Sequence, residues 1–318
     1  MRYVRQVIFE KIGKERQKLL ERSAVAVVGL GALGSVSSEL LARAGIGKLI
    51  LIDRDIVELS NLQRQSLFDE SDISKPKALI TEKKLSRINS SIDLVSHFED
   101  LSYENVTSML KGVDLVLDCT DNFYTRLLIN DFCVKNGIPW VYSAVIGSTG
   151  ACFNILPEKP CLSCIIKEPD SVLGTCDTEG ILNTTSHAIS SIQVTEALKI
   201  LTRQNPTKEF IHYDIWANKL LKLKVHKNAN CNACNGLYNY LDGLRSNNSV
   251  KLCGSSSFQF KANYNFNEMR KKLSKNEACE SNAYFIKLNE ITIFKNCRVV
   301  IKADSERKAK VLFSKYLS

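Results

Sequence analysis

Four groups of residues in this chain offer glycines, charged side chains or thiols that could bind ligands or react. The first is Gly29-Leu-Gly31-Ala-Leu-Gly34, a GxGxxG at the end of the apolar run AVAVV. Glycines there let the backbone approach a phosphate, and the N-terminus of a following helix would offer N–H groups and partial positive charge. The second follows the next apolar run, KLILID. Asp53 ends it, at the distance where an acid meets a ribose hydroxyl. A dehydrogenase needs one acid at that point, but here Asp55 follows, then Ser-Asn61-Leu-Gln-Arg64-Gln65. Lys77 stands just after Pro76. Arg64 offers a fork and Lys77 a point charge to a phosphate chain. Asn61 and Gln65 can hydrogen-bond phosphate oxygens or brace the loop. A dinucleotide needs little added positive charge, whereas triphosphate chemistry must stabilise a departing pyrophosphate.

The third group is Asp118-Cys-Thr-Asp121-Asn122, closing the run VDLVLDCTD. A carboxylate opposite a triphosphate is a natural Mg²⁺ ligand, since Mg²⁺ takes oxygen donors and few of them from protein. Asp121 is the choice for the metal, and Asp118 could instead cap the next helix. The fourth is the pair of motifs Cys161-x-x-Cys164 and Cys231-x-x-Cys234. Four thiolates suit a tetrahedral Zn²⁺ with no open position, which is structural rather than catalytic. Cys176, in GTCDTEGIL, stands apart from them. An irregular loop before a helix permits a reactive thiolate there, and a spare thiol is the alternative.

The elements that must position these groups alternate. Strands are expected at AVAVV, KLILID, VSHFED, VDLVLDCTD and WVYSAVIG. Helices are expected over 35–44, ending at Gly45, over 75–89, over 124–135 and over 186–201. Alternation of this kind makes an α/β protein with a doubly wound, mostly parallel sheet. Residues 157–185 read as irregular, and YDIWANKLLKLKVH as a hairpin or two late strands. The zinc would staple this late region to the rest. The domains expected are 1–240, carrying the site, and 241–318, a small α+β extension. In that extension strands are read near 249–261 and 283–302, with helices near 265–274 and 305–317.

The bulk numbers exclude some classes. No run of 18 apolar residues exists, so no membrane span is expected. The charged N-terminus MRYVRQVIFEKIGKERQ has no apolar h-region, so the chain is expected to be cytoplasmic. In that setting the 11 cysteines read as thiols or metal ligands, not disulfides. The net charge of +9 is uneven: residues 219–318 hold 19 Lys+Arg against 7 Asp+Glu. Such a tail fits an acidic protein partner, RNA, or only a solvated face.

Together these motifs resemble the MoeB/ThiF family, relatives of the ubiquitin-activating enzymes. RYVRQ, GLGALGS, IDRDIVELSNLQRQ, KPKA, DCTDN and the two CxxC pairs stand in that family's order, from about Arg2 to Cys234. The resemblance implies a Rossmann-like fold that binds ATP with Mg²⁺ and carries Zn²⁺. It implies adenylation of the C-terminal glycine of a small ubiquitin-like or sulfur-carrier protein ending in Gly-Gly. Gly29, Gly31 and Gly34 would form the nucleotide turn, and Asp53, with Asp55 nearby, would hold the ribose. Asn61, Arg64 and Lys77 would hold the phosphates, and Asp121 the Mg²⁺. Gln65 and Asn122 would line the same site. Arg5 resembles an arginine that reaches the γ-phosphate of the other subunit, which implies a homodimer. Cys161, Cys164, Cys231 and Cys234 match a zinc tetrad. Cys176 aligns with a cysteine that in some members carries an acyl or sulfur intermediate; otherwise a separate sulfurtransferase or conjugating enzyme would act. Two other readings stay open, an NAD-dependent oxidoreductase and a tRNA-modifying relative. The zinc tetrad and the Cys176 loop favour a protein substrate over nucleic acid.

Overall fold

The computed structural model describes residues 2–166, 179–245, 249–251, 257–275 and 278–317. The chain divides into two compact units, Met1–Arg245 and Ser246–Ser318.

The first unit opens with helices α1 (Val4–Ile8) and α2 (Gly13–Arg22). Five strand-first segments follow: β1 (Ala24–Val28), β2 (Lys48–Ile52), β3 (Asp93–His97), β4 (Leu115–Asp118) and β5 (Trp140–Ile146). Between them lie α3 (Gly34–Ala44), α4 (Lys77–Ile88), α5 (Val106–Met109) and α6 (Phe123–Asn136). Then come β6 (Thr149–Ile155), α7 (Asn183–Leu201), β7 (Phe210–Asp214) and β8 (Lys219–Leu223). The sheet order is β3-β2-β1-β4-β5-β6-β7-β8. The pairs from β3 to β5 are parallel, and those from β5 to β8 are antiparallel. AVAVV and KLILI are apolar throughout because each is covered on both faces. On one face Leu41, Leu85 and Val194 pack against the sheet; on the other, Val106, Leu128 and Phe132 do so. The chain leaves β1 for β2 and β3, then returns to β4 beside β1. The carboxyl ends of β1 and β4 therefore flank the switch point, where an open α/β sheet leaves its crevice.

Sequence patterning missed β6. Its residues, TGACFNI, mix strand formers with a glycine and an asparagine that break the pattern. Tertiary packing explains that glycine: a Cβ on Gly150 would lie 2.3 Å from Ile189 Cγ1 on α7. Patterning also missed α1 and α2, whose inward contacts are mostly polar. Gln6 Nε2 donates to Gln17 Oε1 (2.7 Å) and to the Ala44 carbonyl (2.9 Å), so α1 sits at the C-terminal end of α3.

The second unit is an antiparallel sheet in the order β11-β12-β13-β14-β10-β9. Its strands are β9 (Ser249–Lys251), β10 (Ser257–Lys261), β11 (Cys279–Ser281), β12 (Phe285–Leu288), β13 (Ile291–Phe294) and β14 (Arg298–Lys302). Its helices are α8 (Phe266–Leu273) and α9 (Glu306–Leu317). Alternate strand residues, including Phe258, Phe260, Ile286, Ile293, Val299 and Ile301, form one core with Phe266 and Ala309.

Candidate active site

The glycine turn joins β1 to α3. Gly29 has φ +86°, and a Cβ there would lie 2.7 Å from the Cys119 carbonyl oxygen. A Cβ on Gly34 would lie 1.8 Å from the Gly29 carbonyl oxygen. Both glycines are thus required by the protein's own packing, backbone against backbone. Gly31 differs. Its nearest obstacle is Gln65 Nε2, at 3.7 Å from an added Cβ. Internal packing leaves room for a side chain at Gly31, so close approach by a ligand is the remaining physical reason for glycine.

Asp53 is buried and ties the turn to the loop after β2. Its Oδ2 accepts from the Leu30 amide (2.6 Å) and its Oδ1 from the Asp55 amide (2.7 Å). Burial raises its pKa, against the pull of Lys77. Lys77 opens α4, is itself buried, and holds Nζ 3.9 Å from Asp55 Oδ2. Arg54, between the two acids, was not singled out from the sequence. Its Nη1 donates to both Asp100 oxygens, at 3.1 and 3.0 Å. Burial alone would lower its pKa, but Asp100, Asp55 and Asp121 together hold it above the usual arginine value. The doubled acid around Arg54 was the available signal, and its partners lie on other loops.

The loop from 58 to 65 braces itself. Asn61 Oδ1 accepts from the Glu58 amide (3.2 Å), and half-buried Arg64 donates from Nη1 to the Ser60 carbonyl (2.9 Å). Gln65 is buried, and its Oε1 has no hydrogen-bond partner among the described residues.

At the end of β4, two aspartates three residues apart have opposite settings. Asp121 is exposed. Asp118 is fully buried, and burial pushes its carboxyl up to about 6 despite Arg126. The helix cap considered for Asp118 belongs to Asn122, whose Oδ1 accepts from the Thr125 amide (2.9 Å) at the start of α6. Asp118 fails as a cap because its Oδ1 is turned onto Thr120 instead. An exposed carboxylate at the crevice end of β4 is an oxygen donor of the kind Mg²⁺ takes, so Asp121 fits that ion.

The four cysteines of the two CxxC motifs converge. Cys161 Sγ lies 3.9 Å from Cys164, 3.5 Å from Cys231 and 3.5 Å from Cys234, and Cys164 lies 3.6 Å from Cys234. All four sulfurs fall within 4.8 Å of one another. A tetrahedral ion with metal–sulfur distances of ~2.3 Å separates its sulfurs by roughly 3.8 Å, so the set fits such a metal. Burial and the three neighbouring sulfurs push the Cys161 thiol far up, a cost that a bound dication would reverse. Helix α6 seats the first knuckle: Asn130 Oδ1 accepts from the Leu162 amide (2.9 Å), and Asn130 Nδ2 donates to Ser163 Oγ (3.1 Å).

One residue singled out from the sequence is not brought to this crevice. Arg5 is exposed on α1, beside the far end of α3. Cys176 lies outside the described residues. Arg126, which sequence reasoning passed over, lies buried against Asp118.

Comparison with known proteins agrees with this geometry. Residues 3–233 match the model of the ThiF family. The sulfur carrier protein ThiS adenylyltransferase of Bacillus subtilis is 37% identical over 267 residues, covering 82% of this chain and 80% of that protein. The protein of the same name from Escherichia coli is 34% identical over 239 residues, covering 74% and 95%. Among solved structures, E. coli MccB in complex with MccA-N7isoASN shares the fold, with a TM-score of 0.66 at 20% identity over 74% of this chain and 75% of that one. With the match running from the N-terminal helices into the second CxxC motif, the chain belongs to the ThiF family.

Proposed function

We propose that this protein uses ATP to adenylate the C-terminal glycine of a small ubiquitin-like sulfur carrier. The observation that carries the reading is the crevice between β1 and β4. There a glycine turn open at Gly31 lies by Asp53, after β2, and buried Lys77, at the start of α4, and Asp121 stands at the end of the neighbouring strand. A nicotinamide cofactor would leave Lys77, Arg64 and Asp121 without a task. Relatives named as sulfur-carrier adenylyltransferases support the substrate class.

The carrier's terminal carboxylate attacks the α-phosphorus of ATP, and pyrophosphate leaves. The amides at the N-terminus of α3 and the charges of Lys77 and Arg64 stabilise the phosphates as charge builds on the leaving group. Asn61, Gln65 and Asn122 line the pocket, and Asp53, with Asp55 nearby, takes the ribose. Asp121 would hold Mg²⁺, which supplies further charge neutralisation on the phosphate chain. The cysteine tetrad would hold a structural Zn²⁺.

Arg5 cannot serve its own crevice. Helix α1 is fixed to Ala44, and the 11 residues of α3 separate Ala44 from the glycine turn. That is about 16 Å, beyond the span of an arginine side chain. A second copy of the chain would supply Arg5 in trans, and the exposed Val4, Ile8 and Phe9 offer apolar surface for that contact. The outer strand β8 exposes Leu220, Leu221 and Leu223, with Trp216 82% exposed beside it, which supplies apolar surface for the carrier. A thiolate then displaces AMP from the acyl-adenylate, either Cys176 or that of a separate sulfurtransferase or conjugating enzyme.

The test is ATP–pyrophosphate exchange, with candidate carriers ending in Gly-Gly added one at a time. Exchange should require both the intact Gly-Gly terminus and Asp121, with Asp121→Ala reducing it on the order of 10²-fold or more. Exchange without a carrier, or NAD binding with no exchange, would refute the reading.

A further inference from the structure

Arg126 and Asp118 have no part in the chemistry set out above, yet they form a buried ion pair beside it. Arg126 is 8% exposed and Asp118 0%. Burying two charges costs desolvation energy, which attraction offsets only in good geometry. Here Arg126 Nε stands 3.7 Å from Asp118 Oδ2, and neither atom has a hydrogen-bond partner among the described residues. A pair kept for stability alone would close that gap.

The remaining polar contacts of both side chains converge on Thr120. Asp118 Oδ1 accepts from the Thr120 amide (2.9 Å) and from the Thr120 hydroxyl (2.7 Å). Arg126 Nη2 donates to the Thr120 carbonyl (2.5 Å). All three polar groups of Thr120 are therefore held by this one pair. The pair is itself held. The guanidinium carbon lies 5.6 Å from the Phe123 ring centroid and 5.3 Å from that of Tyr142. The Asp118 carbonyl accepts from Ser143 Oγ (2.9 Å) on β5 and from Gln193 Nε2 (3.0 Å) on α7. The preceding residue, Cys119, presses its carbonyl on Gly29. The following residue is Asp121. A peptide plane gripped at its carbonyl sets the direction in which the chain leaves it.

We propose that Arg126, together with Asp118, is a positioning residue: the two clamp Thr120 so that the exposed Asp121 carboxylate meets the divalent cation of bound nucleotide in one orientation. The proposal rests on the reading of Asp121 given above. Groups one step behind a metal ligand typically change metal affinity 10- to 100-fold when removed.

The test measures Mn²⁺ binding to the full-length protein with a non-hydrolysable ATP analogue, by water-proton relaxation, beside the Mg²⁺ dependence of pyrophosphate exchange. Arg126→Gln should weaken Mn²⁺ binding about 10-fold and raise the Mg²⁺ needed for half-maximal exchange by a similar factor. Excess Mg²⁺ should restore most of the rate, and analogue binding without a divalent cation should be unchanged. Thr120→Val, a milder change on a half-buried residue, should shift both in the same direction by a few-fold. Equal loss of exchange at every Mg²⁺ concentration, with Mn²⁺ affinity unchanged, would overturn the proposal. So would weaker analogue binding without a cation, which would place Arg126 on the nucleotide itself. Asp121→Ala separates the two levels. If it weakens Mn²⁺ binding and the Arg126 and Thr120 variants do not, the clamp fails alone. If Asp121→Ala leaves Mn²⁺ binding intact, the assignment of Asp121 fails and the clamp with it.

Discussion

The nucleotide crevice and the cysteine tetrad both concentrate polar groups in the first unit, and they balance charge in opposite ways. In the crevice three cations have carboxylate partners, Lys77 with Asp55, Arg54 with Asp100 and Arg126 with Asp118, while Arg64 donates to the Ser60 carbonyl. Backbone amides hold Asp53 and Asp118 directly. The crevice is therefore organised without its ligand. In the tetrad, four sulfurs crowd together with no cation among them, and burial pushes the Cys161 thiol up. Nothing among the four ligands supplies the cation that would make the arrangement favourable. A site paired within itself can wait for a substrate, whereas four crowded cysteines would be completed by a bound dication.

Metal removal is the harshest way to break this comparison. Chelation, or Cys161→Ser, should lower the melting temperature by at least about 10 °C, because metal binding is coupled to folding. Omitting ATP should shift it only by the mass-action amount set by nucleotide concentration. Equal shifts in the two experiments, followed by calorimetry, would erase the contrast.

A smaller effect sharpens it within the crevice. Gly31→Ala should leave the melting temperature unchanged, since the added methyl meets only Gln65 Nε2 at 3.7 Å. It should raise the KM for ATP roughly 10-fold, because the methyl occupies space where phosphate must approach. A fall in stability with unchanged KM would mean that Gly31 serves the fold.

The smallest effect concerns Asp118. Its carboxyl is pushed up to about 6 in the folded protein, above the ordinary 3.8. The folded chain thus keeps a proton that the unfolded chain has lost between those values, and stability falls as pH rises from about 4 to about 6. Asp131, also pushed up to about 6 by burial, acts in the same direction. Asp118→Asn should remove one of these two contributions and flatten the decline measured by urea unfolding across that range. An unchanged slope would show that Asp118 does not titrate there.

Several features could be read from sequence because their causes are local. The apolar runs AVAVV and KLILI announce strands buried on both faces, as found. Gly45 stops α3 at φ +84°, a conformation open to glycine without strain. Two CxxC motifs announce four thiolates, although they lie 70 residues apart and only the fold brings Cys161 within 3.5 Å of Cys231.

Other features depended on neighbours distant along the chain. β6 was hidden because its glycine answers to Ile189 on α7 rather than to strand propensity. Arg54 looked like an ordinary surface base until the fold set Asp100, 46 residues away, against it. The order Asp118-Cys-Thr-Asp121-Asn122 already places two carboxylates and a carboxamide at one strand end. Packing then separates them: Asp118 is sealed under α6 with Arg126, Asp121 is left in solvent, and Asn122 is used as a helix cap. The physical reason is that strand, turn and helix preferences are settled within a few residues, whereas burial and pairing are settled by whichever element packs on top.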